Sequence, residues 1–226
     1  MKSAAHLSTP PKWERRKQDR PQELLQAALH VFGSKGFAAA RLDDVAKRAG
    51  VSKGTVYLYY SNKEELLKEV VRQNVSPIVD SVKDAQSLCD QAHSADLITD
   101  AINQWWTRYG STDLNAITKL ILSEATSFPE LGRFFYEEVI HPWWDYLESI
   151  LQRGIDRGEF PPLDTEYTAK VLCSPLVTLG IWKRSMDLCC NLDTDPARYI
   201  QAYTRMILNG LDLRQTNEPS PSRTQT

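Results

Sequence analysis

A glycine turn between two short segments constrains this chain more than any other feature of its sequence. The segment 42–49 has two aspartates in its first turn, where carboxylates favour the positive end of a helix dipole, and it stops at Gly50. Ser52 suits the N-cap of a second helix, whose first turn, Lys53-Gly54-Thr55, is small, hydroxylated and basic. The pattern predicts two helices held at an angle by a short turn, an arrangement that fits a helix into a DNA major groove.

The start of the second helix carries the groups that such a contact needs. A helix N-terminus favours phosphate, and Gly54 would let the backbone approach a base edge. Thr55 and Tyr57 offer hydroxyl groups to phosphates or bases. The same spacing of Ala, Val, Leu and Gly also occurs in ordinary helical bundles, so packing or capping is the alternative role for these residues.

Two further helices are predicted around this pair. Apolar residues at helical spacing predict a helix from about Pro21 to Ser34 that covers the pair. Ser61 followed three residues later by Glu64 forms a capping box, which predicts another helix from Asn62. Lys63 would then be exposed at the foot of the second helix and face the DNA backbone, so its replacement by alanine should reduce the salt slope of DNA binding by about one unit.

These residues resemble the TetR family of bacterial transcriptional regulators over positions 20–72. The resemblance is carried by Gly36-Phe37, Val45-Ala46, AGVSKGTVY at 49–57, Tyr59-Tyr60 and KEELL at 63–67. It implies phosphate contacts from Thr55, Tyr57, Tyr59 and Lys63, and it places Ser52, Lys53 and Gly54 at or beside base edges. One position departs from the pattern: Arg41 stands where the family often has a threonine cap. We expect weaker capping there and a phosphate contact from Arg41.

The distribution of charge supports a nucleic-acid partner for the N-terminal part. Residues 1–72 hold 14 Lys and Arg against 8 Asp and Glu, whereas the remaining residues hold 13 against 21. Positive charge of this kind is typical of phosphate binding, while the sequence pI near 6.1 argues against indiscriminate nucleic-acid binding. The basic run from Lys12 to Arg20 is interpreted as a solvated tail, with an arm on the DNA as the alternative.

The rest of the chain is long enough for a second domain with its own core. Its pattern predicts helices and no strands, at about 62–88, 94–109, 113–125, 129–157, 164–187 and 195–213. The expected fold is therefore all-α, with about nine helices in total, as the resemblance also implies. We predict a disordered basic arm at 1–19, a helix-turn-helix domain at 20–68, a helical ligand-binding and dimerisation domain at 69–214 and a disordered tail at 215–226.

Aromatic residues concentrate in the central helices of the second domain. Most rings of this kind serve ordinary packing. Some of them could instead line an apolar cavity for a small organic effector, and the family resemblance implies a pocket in this region. The residues predicted to line it are Trp105, Tyr109, Phe128, Phe135 and Trp143. His141, Glu124, Asn103 and Arg108 are the polar candidates for orienting the ligand, although each also fits a structural role.

The last two predicted helices carry apolar and small residues on broad faces. Leu172, Leu176, Leu179, Gly180 and Lys183 share one helix, and Tyr199, Tyr203, Ile207 and Gly210 share the other. Two such helices from each subunit could form a four-helix bundle between protomers, as the family resemblance implies. A homodimer would place two recognition helices in successive major grooves. The alternative is that these helices complete the core of a monomer.

Other classes of function find little support in the sequence. The four cysteines, at 89, 173, 189 and 190, lack metal-binding spacing, so reduced thiols are expected and redox activity of the 189–190 pair is the alternative. No glycine-rich phosphate loop or catalytic triad is evident, and we expect no enzyme activity, no cofactor and no metal. No apolar run approaches the length of a membrane span, so a soluble cytoplasmic protein without membrane contact is expected.

Together these patterns predict a dimeric, sequence-specific DNA-binding regulator. We expect a repressor that a small apolar or aromatic effector releases from a palindromic operator. The alternative is an architectural DNA-binding protein of the same fold that has no small-molecule effector. A further possibility is a helical interaction module that no longer binds DNA, for which Thr55→Ala would have no effect.

Overall fold

The structure is a computed structural model that describes residues 12–87 and 91–211, and it describes side chains for 20–81, 91–187 and 189–211. The regular structure within these ranges is helical throughout, as the sequence predicts. The chain divides into two compact units, with the boundary between Val70 and Val71. Cys89, residues 1–11 of the predicted arm and the predicted tail at 215–226 lie outside the described residues.

Four helices begin in the first unit. They are α1 (Lys12–Lys35), α2 (Leu42–Ala49), α3 (Lys53–Tyr59) and α4 (Lys63–Asn74), the last of which continues past the unit boundary. The second unit contains α5 (Ser76–Ser87), α6 (Ser94–Trp105), α7 (Asn115–Glu124), α8 (Pro129–Phe135), α9 (His141–Asp156), α10 (Thr165–Arg184), α11 (Met186–Cys190) and α12 (Pro196–Gly210). A π-helical turn, Trp106–Gly110, extends α6, and another, Tyr136–Ile140, joins α8 to α9.

The first unit is built around a small apolar core. Helix α2 packs against α1 and α3, and its side chain Val45 is fully buried together with Phe32 of α1 and Val56 of α3. Gly50 ends α2 in the left-handed region, at φ 65° and ψ 33°. Its successor Val51 donates to the Ala46 carbonyl at 3.0 Å, which closes the helix end and redirects the chain into α3. The predicted helix-turn-helix geometry follows from this turn.

Three details of the helices differ from our expectations. Residues 12–19 are helical rather than a disordered arm, because their Lys, Arg, Glu and Gln residues are good helix formers. Asn62, not Ser61, caps α4, since its side chain accepts the Glu65 amide at 2.8 Å. The predicted helix 62–88 is two helices that meet at Val75. Pro77 has no N–H to continue the hydrogen-bond ladder, which explains the break.

The second unit surrounds α10 with other helices. Helix α10 packs against α7, α9 and α12, and α6 lies against α9 and α12. Its core contains the fully buried Ile98, Leu151 and Leu179. Close packing depends on Gly154 and Gly180, because an added Cβ would lie 2.1 Å from a Phe160 ring carbon or from the Asn115 amide nitrogen, respectively. Within the described residues, no helix is long and apolar enough to cross a membrane.

Candidate nucleic-acid interface and ligand cavity

Helix α3 is positioned by its N-cap and by one buried side chain. The Ser52 hydroxyl accepts the Thr55 amide at 3.1 Å, and its oxygen lies 2.8 Å from the Thr55 hydroxyl oxygen. Val56 is fully buried beneath the helix. Because this contact holds one side of α3 against the first unit, the opposite side projects into solvent. Ser52 and Thr55 therefore organise the start of the helix.

The outer side of α3 presents the residues that the sequence predicts. Lys53 and Gly54 are exposed, and Tyr57 and Tyr59 are 48% and 39% exposed. Leu58 is 84% exposed, yet the sequence interpretation omitted it. Its position two residues after the buried Val56 puts it on the other side of the helix, which was the available signal. An apolar side chain there suits the methyl group of thymine.

Lys53 is held by a carboxylate of the preceding helix. Its ammonium lies 2.9 and 3.0 Å from the two carboxylate oxygens of Asp43, and 5.6 Å from the centre of the Tyr57 ring. The hydrogen bond to Asp43 raises the pKa of Lys53, so its positive charge is retained. Both partners are exposed, so a phosphate can compete with Asp43 for the ammonium at modest cost.

Arg41 occupies the N-cap position of α2 and is exposed. Its backbone N–H donates to Asp44 at 3.2 Å, which stabilises the helix end without a threonine cap. Asp44 also pairs with Lys35 at 2.7 Å, and the hydrogen bond from Lys35 is the main cause of its lowered pKa. The Arg41 side chain thus stands at the exposed start of α2, where a phosphate contact is sterically open.

Lys63 differs from the other predicted contact residues. Its ammonium donates to the carbonyls of Phe37 and Ala38, at 2.7 and 3.0 Å, and lies 4.5 Å from the centre of the Phe37 ring. The residue is half-buried rather than exposed as expected. The chain folds this way because the loop after α1 leaves carbonyls that a lysine at the start of α4 reaches. Lys63 therefore tethers that loop in the DNA-free protein.

The second unit contains an apolar cavity of about 320 Å³. Four of the five predicted ligand residues line it: Trp105, Tyr109, Phe135 and Trp143. Phe128 is not among the lining residues, because it precedes α8 in the turn after α7. The wall combines residues of α5, α6, α7, α8, α9 and α10 and of both π-helical turns. Three of these four aromatic side chains are buried: Trp143 is 6% exposed, Tyr109 is 4% exposed and Phe135 is 2% exposed.

Polar groups in the wall come from Tyr109, which the sequence interpretation selected, and from residues that it did not select. The Tyr109 hydroxyl lies 2.5 Å from the Thr118 hydroxyl, and burial raises the pKa of Tyr109 to about 12. Lys170, Cys173, Ser174 and Thr178 of α10 also line the cavity. Burial raises the pKa of the Cys173 thiol to about 12. No local motif marks these residues, because only the packing of distant helices brings them together.

The four polar candidates from the sequence do not line the cavity. His141 lies 3.0 Å from Asp145 on the same helix, and Arg108 donates to Ser81 at 2.6 Å. Asn103 faces a separate, open groove beside α12. The polar groups that line this cavity are therefore those of α10 and of the Tyr109 to Thr118 pair.

The predicted dimer faces need correction at five of their nine residues. The other four, Lys183, Tyr199, Ile207 and Gly210, are half-buried or exposed, and their part in a dimer stays a prediction. Leu172, Leu176, Leu179 and Gly180 are buried within the protomer, as is Tyr203, so they complete its core. Apolar side chains that remain exposed on α10 and α12 are Tyr167, Val171, Trp182 and Met206. The error arose because both sides of α10 are apolar, and the sequence does not show which side the protomer itself covers.

The remaining thiols lie on α11. Cys189 and Cys190 are exposed, and their sulfur atoms are 3.1 Å apart without a bond between them. Redox activity of this pair stays a prediction. Among the residues whose structure is described, no three His, Cys, Asp or Glu side chains gather in a way that could hold a metal ion.

Family models match both parts of the chain. Residues 24–70 match the model described as bacterial regulatory proteins, tetR family, and residues 94–184 match the one described as tetracyclin repressor-like, C-terminal domain. The first match contains the helix-turn-helix, and the second contains most of the cavity wall. The two matches together cover more than half of the chain.

Individual proteins give the same result. A fatty acid metabolism regulator protein of Bacillus subtilis is 27% identical over 63% of this chain and 73% of its own length. The transcriptional activator FasR of Mycolicibacterium smegmatis is 43% identical over 30% of this chain and 32% of its own. The crystal structure of FadR from Bacillus subtilis in complex with stearoyl-CoA matches 85% of this chain and 97% of its own, with 22% identity and a TM-score of 0.68.

Proposed function

This chain belongs to the TetR family of transcriptional regulators, and we propose that it is a dimeric repressor that a small apolar or aromatic effector releases from a palindromic operator. The observation that carries the proposal is the outward side of α3, where Lys53, Gly54, Tyr57 and Leu58 project from a helix fixed by Ser52 and Val56. The apolar cavity of the second unit supports the part of the proposal that concerns a small effector, because it gives such a molecule a place to bind.

DNA recognition divides between positioning and base contacts. We assign the hydroxyls of Thr55, Tyr57 and Tyr59 and the Arg41 guanidinium to phosphates. Lys53 leaves Asp43 for a phosphate or a guanine edge, and Gly54 permits the close approach of the α3 backbone. Ser52 holds the helix start beside the bases, and Leu58 contacts a thymine methyl.

We assign Lys63 a role within the protein and not a primary DNA contact. Its ammonium already holds the Phe37 and Ala38 carbonyls, so it positions the loop that leads to Arg41. A phosphate contact from Lys63 requires that one of these bonds be shared or broken. We therefore assign it a positioning role ahead of a contact role.

The exposed apolar side chains of α10 and α12 support the proposed dimer. Tyr167, Val171 and Trp182 lie on α10, and Met206 lies on α12. Covering them with the same helices of a second protomer would remove large apolar side chains from water. Such a dimer presents two copies of α3 to half-sites about 34–36 Å apart, one turn of DNA.

Effector and operator oppose each other through two conformations of the dimer. The effector favours the spacing of α3 helices that does not fit the operator, and linkage makes each ligand weaken the other equally. Typical allosteric coupling is about 1–3 kcal/mol. Helix α4 is the proposed connection, because it begins at Lys63 and runs past Val70 into the second unit. It ends at Asn74, so the connection is shorter than the helix 62–88 that we predicted.

Selection from random duplex DNA, combined with sedimentation, tests this function. The proposal predicts a dimer and an enriched inverted repeat whose half-sites are about 10 base pairs apart from centre to centre. Tyr57→Ala should abolish the enrichment without changing sedimentation. Tyr136→Ala, at an exposed tyrosine outside α3, the cavity wall and the proposed dimer face, serves as the matched tyrosine control for DNA contact. A monomer, or a dimer that enriches no sequence, would contradict the proposal.

A further inference from the structure

One charged residue stands in the cavity wall. Of the residues that line the cavity, Lys170 alone carries a formal charge, and the others are aromatic, aliphatic, hydroxyl or thiol groups. Its side chain is 32% exposed, so it stands at the edge of the cavity rather than in its depth. A single cation beside an apolar space suits an amphiphilic anion.

The cavity extends along α10 away from this cation. Lining residues of α10 run from Lys170 to Thr178, which is about 12 Å at the rise of an α-helix. Near the far end, Gly180 packs against Asn115 at the start of α7, and Arg184 donates to the Thr112 carbonyl. Thr118 is one helical turn after Asn115, so the Tyr109 to Thr118 pair marks the end opposite Lys170. The cavity therefore has a cationic end and a neutral end.

We propose that the effector is an amphiphilic anion, such as a carboxylate with an apolar tail, whose negative group binds Lys170 and whose tail lies along the aromatic wall. This inference rests on the proposed function, since it names the chemical class of the same effector. At the neutral end, Arg184 does not line the cavity and is already bonded to the Thr112 carbonyl and to Asp113, and the two hydroxyls there already bond each other. The tail therefore points towards Tyr109 and Thr118.

The neighbours of Lys170 hold its ammonium at the cavity edge and keep it charged, so that it can bind an anion. Its ammonium lies 4.5 Å from the centre of the Tyr167 ring and 5.4 Å from that of Trp144, a cavity residue, so the rings hold the charge at the cavity edge. Glu166 is 2.5 Å away, and this hydrogen bond raises the pKa of Lys170. The Glu166 side chain is 62% exposed, so it returns to water easily when another anion takes its place.

The cavity volume limits the size of the buried tail. An engineered cavity of about 150 Å³ holds benzene, so a cavity of about 320 Å³ has room for roughly a dozen heavy atoms. A chain of eight to ten carbons, or two small rings, meets this limit. Larger groups would extend past Lys170 and Leu122, which is 52% exposed at the edge of the wall.

A cationic amphiphile is the competing ligand class. Trp105, Trp143 and Trp144 could attract a quaternary ammonium through their ring faces. Lys170 would repel such a group at close range, whereas it attracts a carboxylate. Ligands with the same tail and different head charge therefore separate the two classes.

Tryptophan fluorescence provides the test, because three of the six tryptophans line the cavity. The full-length protein is titrated with octanoate, 1-octanol and octyltrimethylammonium. We expect octanoate to bind at least tenfold more tightly than octanol, and octyltrimethylammonium to bind more weakly than either. Lys170→Met should reduce octanoate affinity to that of octanol, while Lys119→Met, at an exposed lysine of α7 outside the cavity, should leave it unchanged.

Glu166→Gln gives a second, independent result. Removal of the competing carboxylate should tighten octanoate binding several-fold and leave octanol binding unchanged. The inference is overturned if octanoate and octanol bind equally, if the ammonium compound binds most tightly, or if none of the three quenches the fluorescence. Operator selection distinguishes the two proposals, since a protein that selects an inverted repeat yet ignores octanoate disproves only the anionic effector.

Discussion

The two units of this regulator place their functional side chains in opposite environments. In the first unit they lie within the short stretch 41–63 and are mostly exposed on α2 and α3. In the second unit they come from six helices and two π-helical turns around one cavity, and most of them are buried or half-buried. The proposed DNA contacts can therefore change with little cost to folding, whereas a change at a buried position of the cavity wall also changes the core.

Paired aromatic truncations give the largest expected contrast. Trp143→Ala removes a side chain that is 6% exposed and should lower the free energy of unfolding by about 3–5 kcal/mol. Tyr57→Ala removes one that is 48% exposed and should change it by less than about 0.5 kcal/mol, while operator binding falls. Urea denaturation of both variants measures the difference. Equal destabilisation would show that the two environments do not differ in this way.

Thiol reactivity probes the buried environment directly. Burial favours the neutral thiol, and a rise in the pKa of Cys173 from 9.0 to about 12 lowers its thiolate fraction about a thousandfold below pH 9. Alkylation of Cys173 at pH 8 should be slower by that factor in the folded protein than in urea, and it should accelerate tenfold per pH unit. Peptide mapping by mass spectrometry resolves it from Cys189 and Cys190, which are exposed. Equally fast alkylation with and without urea would place Cys173 in solvent.

A substitution at Lys63 tests whether a residue predicted to contact DNA in the first unit also contributes to the stability of the fold. Lys63→Met removes the charged donor to the Phe37 and Ala38 carbonyls and should lower the free energy of unfolding by about 1–3 kcal/mol. The salt slope of operator binding should stay constant, because the ammonium is engaged within the protein. A slope that falls by about one unit with no loss of stability would restore the phosphate contact first expected for this residue. Lys47→Met, at an exposed lysine of α2, is the matched control for stability.

Substitutions of Asp43 and Lys53 should have the smallest effects, and they should change operator affinity in opposite directions. Asp43→Asn frees the Lys53 ammonium and should modestly strengthen operator binding. Lys53→Met should weaken it and, if the lysine contacts a phosphate, reduce the salt slope by about one unit. Fluorescence anisotropy at two salt concentrations measures both variants. Weaker binding by Asp43→Asn would mean that the ion pair positions α3 and does not compete with DNA.

The first unit could be predicted because its signals are local. Gly50, Ser52 and Val56 set a helix end, an N-cap and a buried anchor within seven residues, and the structure shows all three. The break after Asn74 was also readable, since Pro77 cannot continue a helix. Leu58 was missed even though its spacing from Val56 indicated exposure.

The cavity was predicted less completely because it is a tertiary feature. Aromatic residues in the central helices were predicted to line the cavity, and Trp105, Tyr109, Phe135 and Trp143 do so. Phe128 is also an aromatic residue of this region, but it lies outside the wall. The sequence did not indicate Lys170 as a cavity residue, because a lysine four residues after a glutamate is typical of an exposed ion pair on a helix surface. Which side of α10 faces the core depends on contacts with α7, α9 and α12, and no local pattern records them.

Operator affinity at saturating ligand tests the coupling of the two units most directly. The operator obtained by selection is titrated with protein alone and with protein saturated with octanoate, with saturation verified by tryptophan fluorescence in the same samples. The proposed mechanism predicts that bound octanoate weakens operator binding about 5–150-fold, the range of typical allosteric coupling. Unchanged operator affinity with the cavity occupied would contradict it.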